Sequence, residues 1–243
     1  MAVATPSTDK ALPGDAFLDL LEEIRGEILG GEMLRKPISG MTPEQIGASK
    51  RKKHLGGDAN HRFEGERYLN CTDRTIRRMQ LRKLVDEGGQ TSVGGPTPSH
   101  PTLDRWHSME FGLTEEEINQ LEMTDPSPEQ LIILGWWVHI QRNSPWQVAL
   151  GTAMAGEGEK RVPGRTERFI QELDDLKREY AAMGVNVERA IALKTEHAPI
   201  GVDLEHAEFG ANVVRRYVNT PELQDGVRNA FIMSLQGRGS RTF

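Results

Sequence analysis

The stretch Thr195-Glu-His-Ala-Pro-Ile-Gly-Val-Asp-Leu-Glu-His206 carries the strongest signal for both fold and function. It places two histidines and an aspartate within ten residues of a region with helical composition. On a helix, Asp203 and His206 leave from the same face because they are three residues apart. Imidazole plus carboxylate is a donor set that non-haem iron, manganese or zinc accepts. The stretch therefore predicts half of a metal site in a helical protein.

Length, charge and cysteine content exclude several classes of protein. A chain of 243 residues suits one domain with a sizeable core. A net charge of -6 argues against a nucleic-acid partner, and the basic run Lys50–His54 is typical of a solvated helix face. Cys71 is the only cysteine, so an intrachain disulfide and a thiolate zinc site are both excluded.

The ends of the chain and its apolar runs predict a soluble cytoplasmic protein. Residues 1–14 lack the apolar centre of a signal peptide and are expected to be a disordered lead-in to a single helical domain over 15–243. The longest apolar run, Leu131–Ile140, is too short to span a bilayer. We expect no membrane partner, and a homodimer stays open.

Helix signals recur along the whole chain, and no credible run of alternating strands interrupts them. Proline or a capping residue precedes apolar residues at helical spacing in several places. The glycine- and proline-rich stretch Gly88–Ser99 is expected to be a loop. We predict an all-α, single-domain bundle of eight or nine helices. Signals that favour a helix start lie at Pro13, Thr42, Thr72 or Asp73, His100, Thr114, Ser127, Ser144, Arg165, Asn186 and Thr220.

Two further ligand candidates flank the glycine-rich loop. Glu87 ends one predicted helix, where a carboxylate opposes the macrodipole and a bound cation would compensate for it. His100 begins the next helix, and His107 lies seven residues on, on nearly the same face, as a substitute. These positions fit a metal site, although a cap or an exposed position would also explain them.

A helix rich in small residues after Pro145 supplies another carboxylate. Trp146, Leu150 and Met154 form its apolar face, and the same spacing continues to Glu157. A carboxylate that extends an apolar face needs a partner, because burial of an unpaired charge is costly. Glu159 is the weaker alternative.

His197 is harder to place. It lies six residues before Asp203, which is about 120° away on an ideal helix. It joins the Asp203 face only if Pro199 kinks or restarts the helix, and Glu196, seven residues before Asp203, is the alternate ligand. Three carboxylates and three imidazoles would balance two metal ions in a helical bundle. This six-residue set is Glu87, His100, Glu157, His197, Asp203 and His206.

Three segments give the chain a family resemblance. They are Leu84-Val-Asp-Glu-Gly-Gly89 with His100–Glu116, then Leu150–Glu157, and finally Asp203-Leu-Glu-His206-Ala. In these segments the sequence resembles the heme-oxygenase-like diiron oxidases, relatives of the thiaminase-II and pyrroloquinoline-quinone synthase proteins. The family's third histidine usually lies four residues before the aspartate, where this chain has Pro199.

The resemblance implies an O2-dependent oxidoreductase with two Fe(II) ions and O2 as co-substrate. Such an enzyme would desaturate, cleave or N-oxygenate a small amino-acid-like or fatty-acid-like substrate, as in the biosynthesis of natural products. The substrate pocket would draw on Trp136, Trp137, Met154 and Tyr217, with Arg165 or Arg216 pairing a substrate carboxylate.

Other chemistries on the same fold set the alternatives. A thiaminase-type enzyme would need a catalytic cysteine, and Cys71 lies in a polar stretch. A haem oxygenase needs a histidine on its first helix, and no histidine precedes His54. A cofactor-independent oxidase and a metal-free helical binding protein remain as alternative functions.

Overall fold

The computed structural model describes residues 10–29, 40–53, 59–91, 95–96, 98–123, 128–152, 164–196 and 202–240. In this part of the chain, helices account for nearly all regular structure, and the predicted all-α class is confirmed. The helices are α1 (Gly14–Leu29), α2 (Pro43–Lys53), α3 (Ala59–Asn70), α4 (Arg74–Glu87), α5 (His100–Glu110), α6 (Glu115–Glu122), α7 (Pro128–Asn143), α8 (Trp146–Thr152), α9 (Arg165–Ala182), α10 (Val187–Glu196), α11 (Val202–Tyr217) and α12 (Pro221–Ser240). A two-residue antiparallel pair, β1 (Gln90–Thr91) and β2 (Gly95–Pro96), lies within the predicted loop.

Capping side chains set several helix starts as the sequence predicted. The Asp73 carboxylate accepts hydrogen bonds from the backbone N–H groups of Thr75 and Ile76 and so begins α4. Thr114 and Glu117 form a reciprocal capping box at the start of α6. Each cap satisfies N–H groups that have no partner within the helix. Local chemistry therefore accounts for these boundaries.

The described residues form twelve helices, more than the eight or nine expected. The helix that the sequence signals missed altogether is α3. Phe63 is its buried aromatic residue, but two of the other buried positions are Glu64 and Arg67. Because these inward positions are charged, α3 lacks the apolar periodicity by which a helix is recognised.

The largest apolar cluster joins α1 with the C-terminal helices. Phe17 and Leu21 of α1 pack with Val214 of α11 and with Phe231 and Leu235 of α12. The predicted apolar stripe of α1 thus faces the core. Just before α1, Leu12 N donates to Gln224 Oε1 of α12 at 2.8 Å, while residues 1–9 lie outside the described residues.

Two smaller clusters complete the core. One joins α5, α9 and α10 through Phe111, Tyr180 and Ile191. The other joins α4, α8 and α11, and its buried members are Cys71, Ile76, Leu150, Phe209 and Val213. The latter cluster sets α4 beside α11, the helices that contain Glu87 and His206.

None of the described helices combines the length and apolarity needed to cross a lipid bilayer. The apolar run Leu131–Ile140 forms part of α7. Ile132 is exposed on this helix, whereas Leu134 and Ile140 are buried. The helix is therefore packed along one side.

Small residues bring α8 and α12 into close contact. A Cβ atom on Gly151 would lie 2.7 Å from Cγ2 of Val227, and one on Gly226 would lie 2.9 Å from Cγ2 of Val148. Each glycine therefore leaves the space that a valine side chain of the opposite helix fills. The small-residue character of α8 has a packing role.

We expect Gly151→Ala to lower the free energy of unfolding by about 1–3 kcal/mol, because its methyl group overpacks the contact with Val227. Gly135→Ala in α7 is the matched control, since nothing lies within 4 Å of a Cβ at this position. That control should raise stability by about 0.5–1 kcal/mol, because alanine favours the helix. Urea denaturation of both variants measures the difference. A Gly151→Ala protein as stable as the control would contradict the close packing.

Candidate metal centre

Helix α4 turns a mainly polar face toward the interior. Its buried residues are Ile76, Gln80, Lys83 and Glu87, which recur at helical spacing along one side. Apolar side chains lie instead on its outer surface, where Leu81 and Val85 are exposed. Burial of charged groups is unfavourable unless they are paired. The arrangement is therefore typical of a functional interior.

A buried ion-pair network supports the polar face of α4. Glu64 of α3 contacts the Arg67 guanidinium and the Gln80 amide, and its Oε1 lies 3.3 Å from Lys83 Nζ. Arg67 Nε in turn donates to Gln141 Oε1 of α7 at 2.7 Å. All five residues are buried. The Glu64 carboxylate thus lies between two buried cations, and together with Arg67 it links α3 to α4 and α7.

Glu87 and His100 meet at the end of α4. Glu87 is the last residue of that helix and His100 the first of α5, and Glu87 Oε2 contacts His100 Nδ1 directly. Burial alone would raise the pKa of Glu87, but the hydrogen bond from His100 and the charge of Lys83 hold that pKa below its usual value. Glu87 is therefore an ionised carboxylate at neutral pH. The loop between α4 and α5 brings these two predicted ligands together.

His206 faces a different carboxylate, which the sequence reasoning had missed. Asp86 Oδ2 lies 3.5 Å from His206 Nε2, and the Asp86 side chain is only 5% exposed. Its other oxygen, Oδ1, accepts no hydrogen bond from the described residues. The available signal was a second carboxylate at the C-terminal end of a helix, where it opposes the macrodipole as Glu87 does.

The last turn of α4 thus presents two consecutive carboxylates to two histidines. Side chains of consecutive helical residues point about 100° apart, so Asp86 and Glu87 face different neighbours. Glu87 meets His100 of α5, and Asp86 meets His206 of α11. Each pair offers one carboxylate and one imidazole. This combination of donors suits a divalent first-row metal ion.

The remaining members of the predicted six-residue set fall outside this description. Glu157, its alternative Glu159, and His197 lie outside the described residues. Asp203 lies in α11, but its side chain falls outside the described part of the structure, as does that of Glu196 in α10. Among the described residues, no three His, Cys, Asp or Glu side chains gather closely enough to hold a metal ion.

Helix α10 ends at Glu196, and α11 begins at Val202. Residues 197–201, which include His197 and Pro199, lie outside the described residues. The placement of His197, and of Glu196 as its alternate, therefore stays a prediction.

His107 does not face the same neighbours as His100. Its Nδ1 lies 2.6 Å from the carbonyl oxygen of Ala190, and its ring packs against Phe111 and Tyr180. Burial, with the nearby Lys50 ammonium, lowers the pKa of His107 to about 3. The residue is a neutral core histidine that joins α5 to α10.

Cys71 and the aromatic side chains proposed for a substrate pocket lie in several places. Cys71 is buried in the cluster beside Leu150, and this burial raises the pKa of its thiol. Such a thiol is a poor nucleophile. Trp137 packs against Phe63, whereas Tyr217 packs against Trp146. Arg216 is exposed, and Met154 and the Arg165 side chain lie outside the described residues.

Comparison with known proteins identifies the fold. No protein-family model and no curated protein sequence matches the chain. A crystal structure of a TenA homolog from Pseudomonas syringae pv. tomato is similar to it over 100% of this chain and 96% of that one, with a TM-score of 0.66 and 11% identity. The chain therefore shares the helical fold of this TenA homolog, which is one of the folds that the sequence resemblance implied.

Glu64→Gln should lower the free energy of unfolding by about 3–5 kcal/mol, because it removes the negative charge that contacts both the buried Arg67 and the buried Lys83. Asp174→Asn, which breaks an exposed pair with Lys177, is the control and should have little effect. Chemical denaturation of both proteins checks the difference. Equal stability of the two variants would show that Glu64 does not hold the network together.

The lowered pKa of His107 should make the folded protein less stable in acid. Its pKa is about 3 in the folded protein and about 6.5 when unfolded. Below pH 6.5 the unfolded chain therefore binds a proton that the folded chain does not, and stability falls by up to about 1.4 kcal/mol per pH unit. Urea denaturation at pH 7 and pH 5 should show a smaller fall in His107→Gln than in the parent. Parallel pH profiles would contradict this assignment.

Proposed function

We propose that this protein is a non-haem diiron oxidase or oxygenase that uses O2 to oxidise a small amino-acid-like substrate. The observation that carries the proposal is the pair of consecutive carboxylates on α4, each facing a histidine of another helix. The fold shared with a TenA homolog is compatible with such a site but does not specify its chemistry.

The residues at the end of α4 fit a cation in three respects. Asp86 and Glu87 are both buried side chains, and both lie at the negative end of a helix dipole. Asp86 Oδ1 accepts no hydrogen bond within the described residues. Burial, the dipole and the neighbouring carboxylate all disfavour two negative charges here. A bound metal ion would relieve each of these costs.

The donor types favour iron, manganese or zinc and exclude a thiolate site. The only thiol, Cys71, is buried in an apolar cluster. Carboxylate and imidazole donors suit all three metals, and the choice of iron rests on the family resemblance. Glu157, His197 and Asp203 complete the proposed ligand set. Ferrous iron bound there would supply the electrons and the open coordination positions for O2 activation.

The protein's own contribution is a site of fixed geometry with little exposure to solvent. The Glu64 network fixes the rotation of α4 and places Lys83 so that its charge acts on Glu87. The side chains of Asp86, Glu87, His100 and His206 are all at most 16% exposed. A fixed geometry that excludes water keeps ligands in place and leaves positions for substrate.

The substrate class follows from the resemblance, and the reaction would be desaturation, C–C cleavage or N-oxygenation. A fatty-acid-like substrate is the other possibility within this class. The alternative functions are a cofactor-independent oxidase and a metal-free helical binding protein. In the metal-free case the two carboxylate–histidine contacts would be structural pairs only. Metal binding therefore discriminates between the proposals.

Anaerobic titration of the metal-free protein with ferrous iron should saturate near two ions per chain. His206→Ala and His100→Ala should each reduce iron binding, because each removes one donor from a different pair. His139→Ala is a matched control, since His139 is an exposed histidine on α7 next to Asn143. This control should bind iron as the parent does. Metal analysis and calorimetry supply the stoichiometry and affinity.

Two outcomes would contradict the proposal. The absence of iron binding, with His206→Ala altering only thermal stability, would support a metal-free binding protein. Turnover of a substrate with O2 in the presence of a strong chelator would support the cofactor-independent oxidase. Iron binding that depends on both histidines but not on His139 would favour the diiron proposal over both.

A further inference from the structure

We infer that Asp86 is itself a metal ligand, which supplies a carboxylate oxygen to the same ion as His206. This inference rests on the proposed metal function and adds a carboxylate to the six-residue ligand set. It concerns a residue that neither the ligand spacing nor the family resemblance had singled out.

Asp86 has too little compensation for a buried charge. Its side chain is 5% exposed and lies at the C-terminal end of α4, beside the carboxylate of Glu87. Glu87 has a direct contact with His100 and the charge of Lys83 to stabilise it. Asp86 has His206 at 3.5 Å from one oxygen and no hydrogen-bond donor among the described residues at the other. A buried carboxylate with a partner at only one of its two oxygens is costly unless a cation joins it.

The distance between Asp86 and His206 also fits joint ligation. An N–H···O hydrogen bond is usually 2.7–3.2 Å long, shorter than the 3.5 Å between His206 Nε2 and Asp86 Oδ2. Two ligands that each lie about 2.0–2.2 Å from one ion are about 2.8–3.6 Å apart at angles near 90–110°. The observed separation falls within the latter range. One ion between these two atoms would therefore need little side-chain movement.

The two neighbouring carboxylates point in different directions and would therefore bind two different ions. Because the side chains of consecutive helical residues point about 100° apart, Glu87 and Asp86 face different neighbours at the C-terminal end of α4. Glu87 with His100 would start one ion site, and Asp86 with His206 would start the other.

The test compares ferrous binding by the parent protein, Asp86→Asn and Asp86→Ala. Asp86→Ala has no donor atom at this position, so its stoichiometry should fall from two ions to one or fewer. Asp86→Asn keeps a weak carbonyl donor and should lose more than about 100-fold in affinity for one ion. A residue that only orients a ligand typically changes metal affinity by about 10–100-fold. Anaerobic calorimetry and metal analysis give both quantities.

Glu205→Gln is the matched control. Glu205 precedes His206 on α11 but is exposed, and its Oε2 lies 3.4 Å from Arg82 Nη2. This variant removes the same charge close to the same histidine and should bind two ions with parental affinity. A loss of iron in Glu205→Gln equal to that in Asp86→Asn would assign the effect to general electrostatics and overturn the inference.

The stability of the metal-free protein is a second, independent measurement. Removing an uncompensated buried charge should raise the Tm of metal-free Asp86→Asn by about 2–4 °C, whereas added metal should stabilise that variant less than the parent. A lower Tm of the metal-free variant would mean that Asp86 already has a partner and would overturn the inference. The same thermal unfolding measurement shows whether the variant folds.

The possible failures are distinguishable. If the parent protein binds no iron, the proposed function fails and the inference fails with it. If the parent binds two ions and Asp86→Ala also binds two, at any affinity, only the assignment of Asp86 as a ligand is overturned. In that case its role is to position His206.

Discussion

The geometry of the site depends on one buried carboxylate, that of Glu64. It lies among Arg67, Gln80 and Lys83 and satisfies all three at once. Without it, α4 could not turn a polar face inward, because two buried cations would face each other in a medium that screens charge poorly. The same carboxylate ties α3 to α4, and Arg67 extends the connection to Gln141 on α7. The directions of the Asp86 and Glu87 side chains at the C-terminal end of α4 depend on this orientation.

That orientation gives the end of α4 its chemistry. With Lys83 directed inward, Glu87 follows one turn later on the same face, and Asp86 points toward α11. The two histidines reach these carboxylates from different parts of the chain: His100 begins the helix after the glycine-rich loop, and His206 lies early in α11. Three helices thus meet in one polar region, where the proposed metal ions would balance the negative charge.

Local sequence signals predicted the helices wherever the determining interaction is itself local. The caps at Asp73 and Thr114, and the apolar stripe of α1, all involve residues within a few positions of one another. The prediction failed at α3, because its inward positions carry charges whose partners lie on other helices.

By itself, the sequence determined the all-α class, most helix boundaries, and the candidates Glu87, His100 and His206, since residue type and spacing express these properties directly. Only the tertiary structure decided which carboxylate faces which histidine. Asp86 and Glu87 are adjacent in sequence, and their division between His206 and His100 depends on the rotation of α4. That rotation depends on the contacts of Glu64 with Gln80 and Lys83, which lie on a different helix, and the sequence pattern of one helix does not show contacts with another.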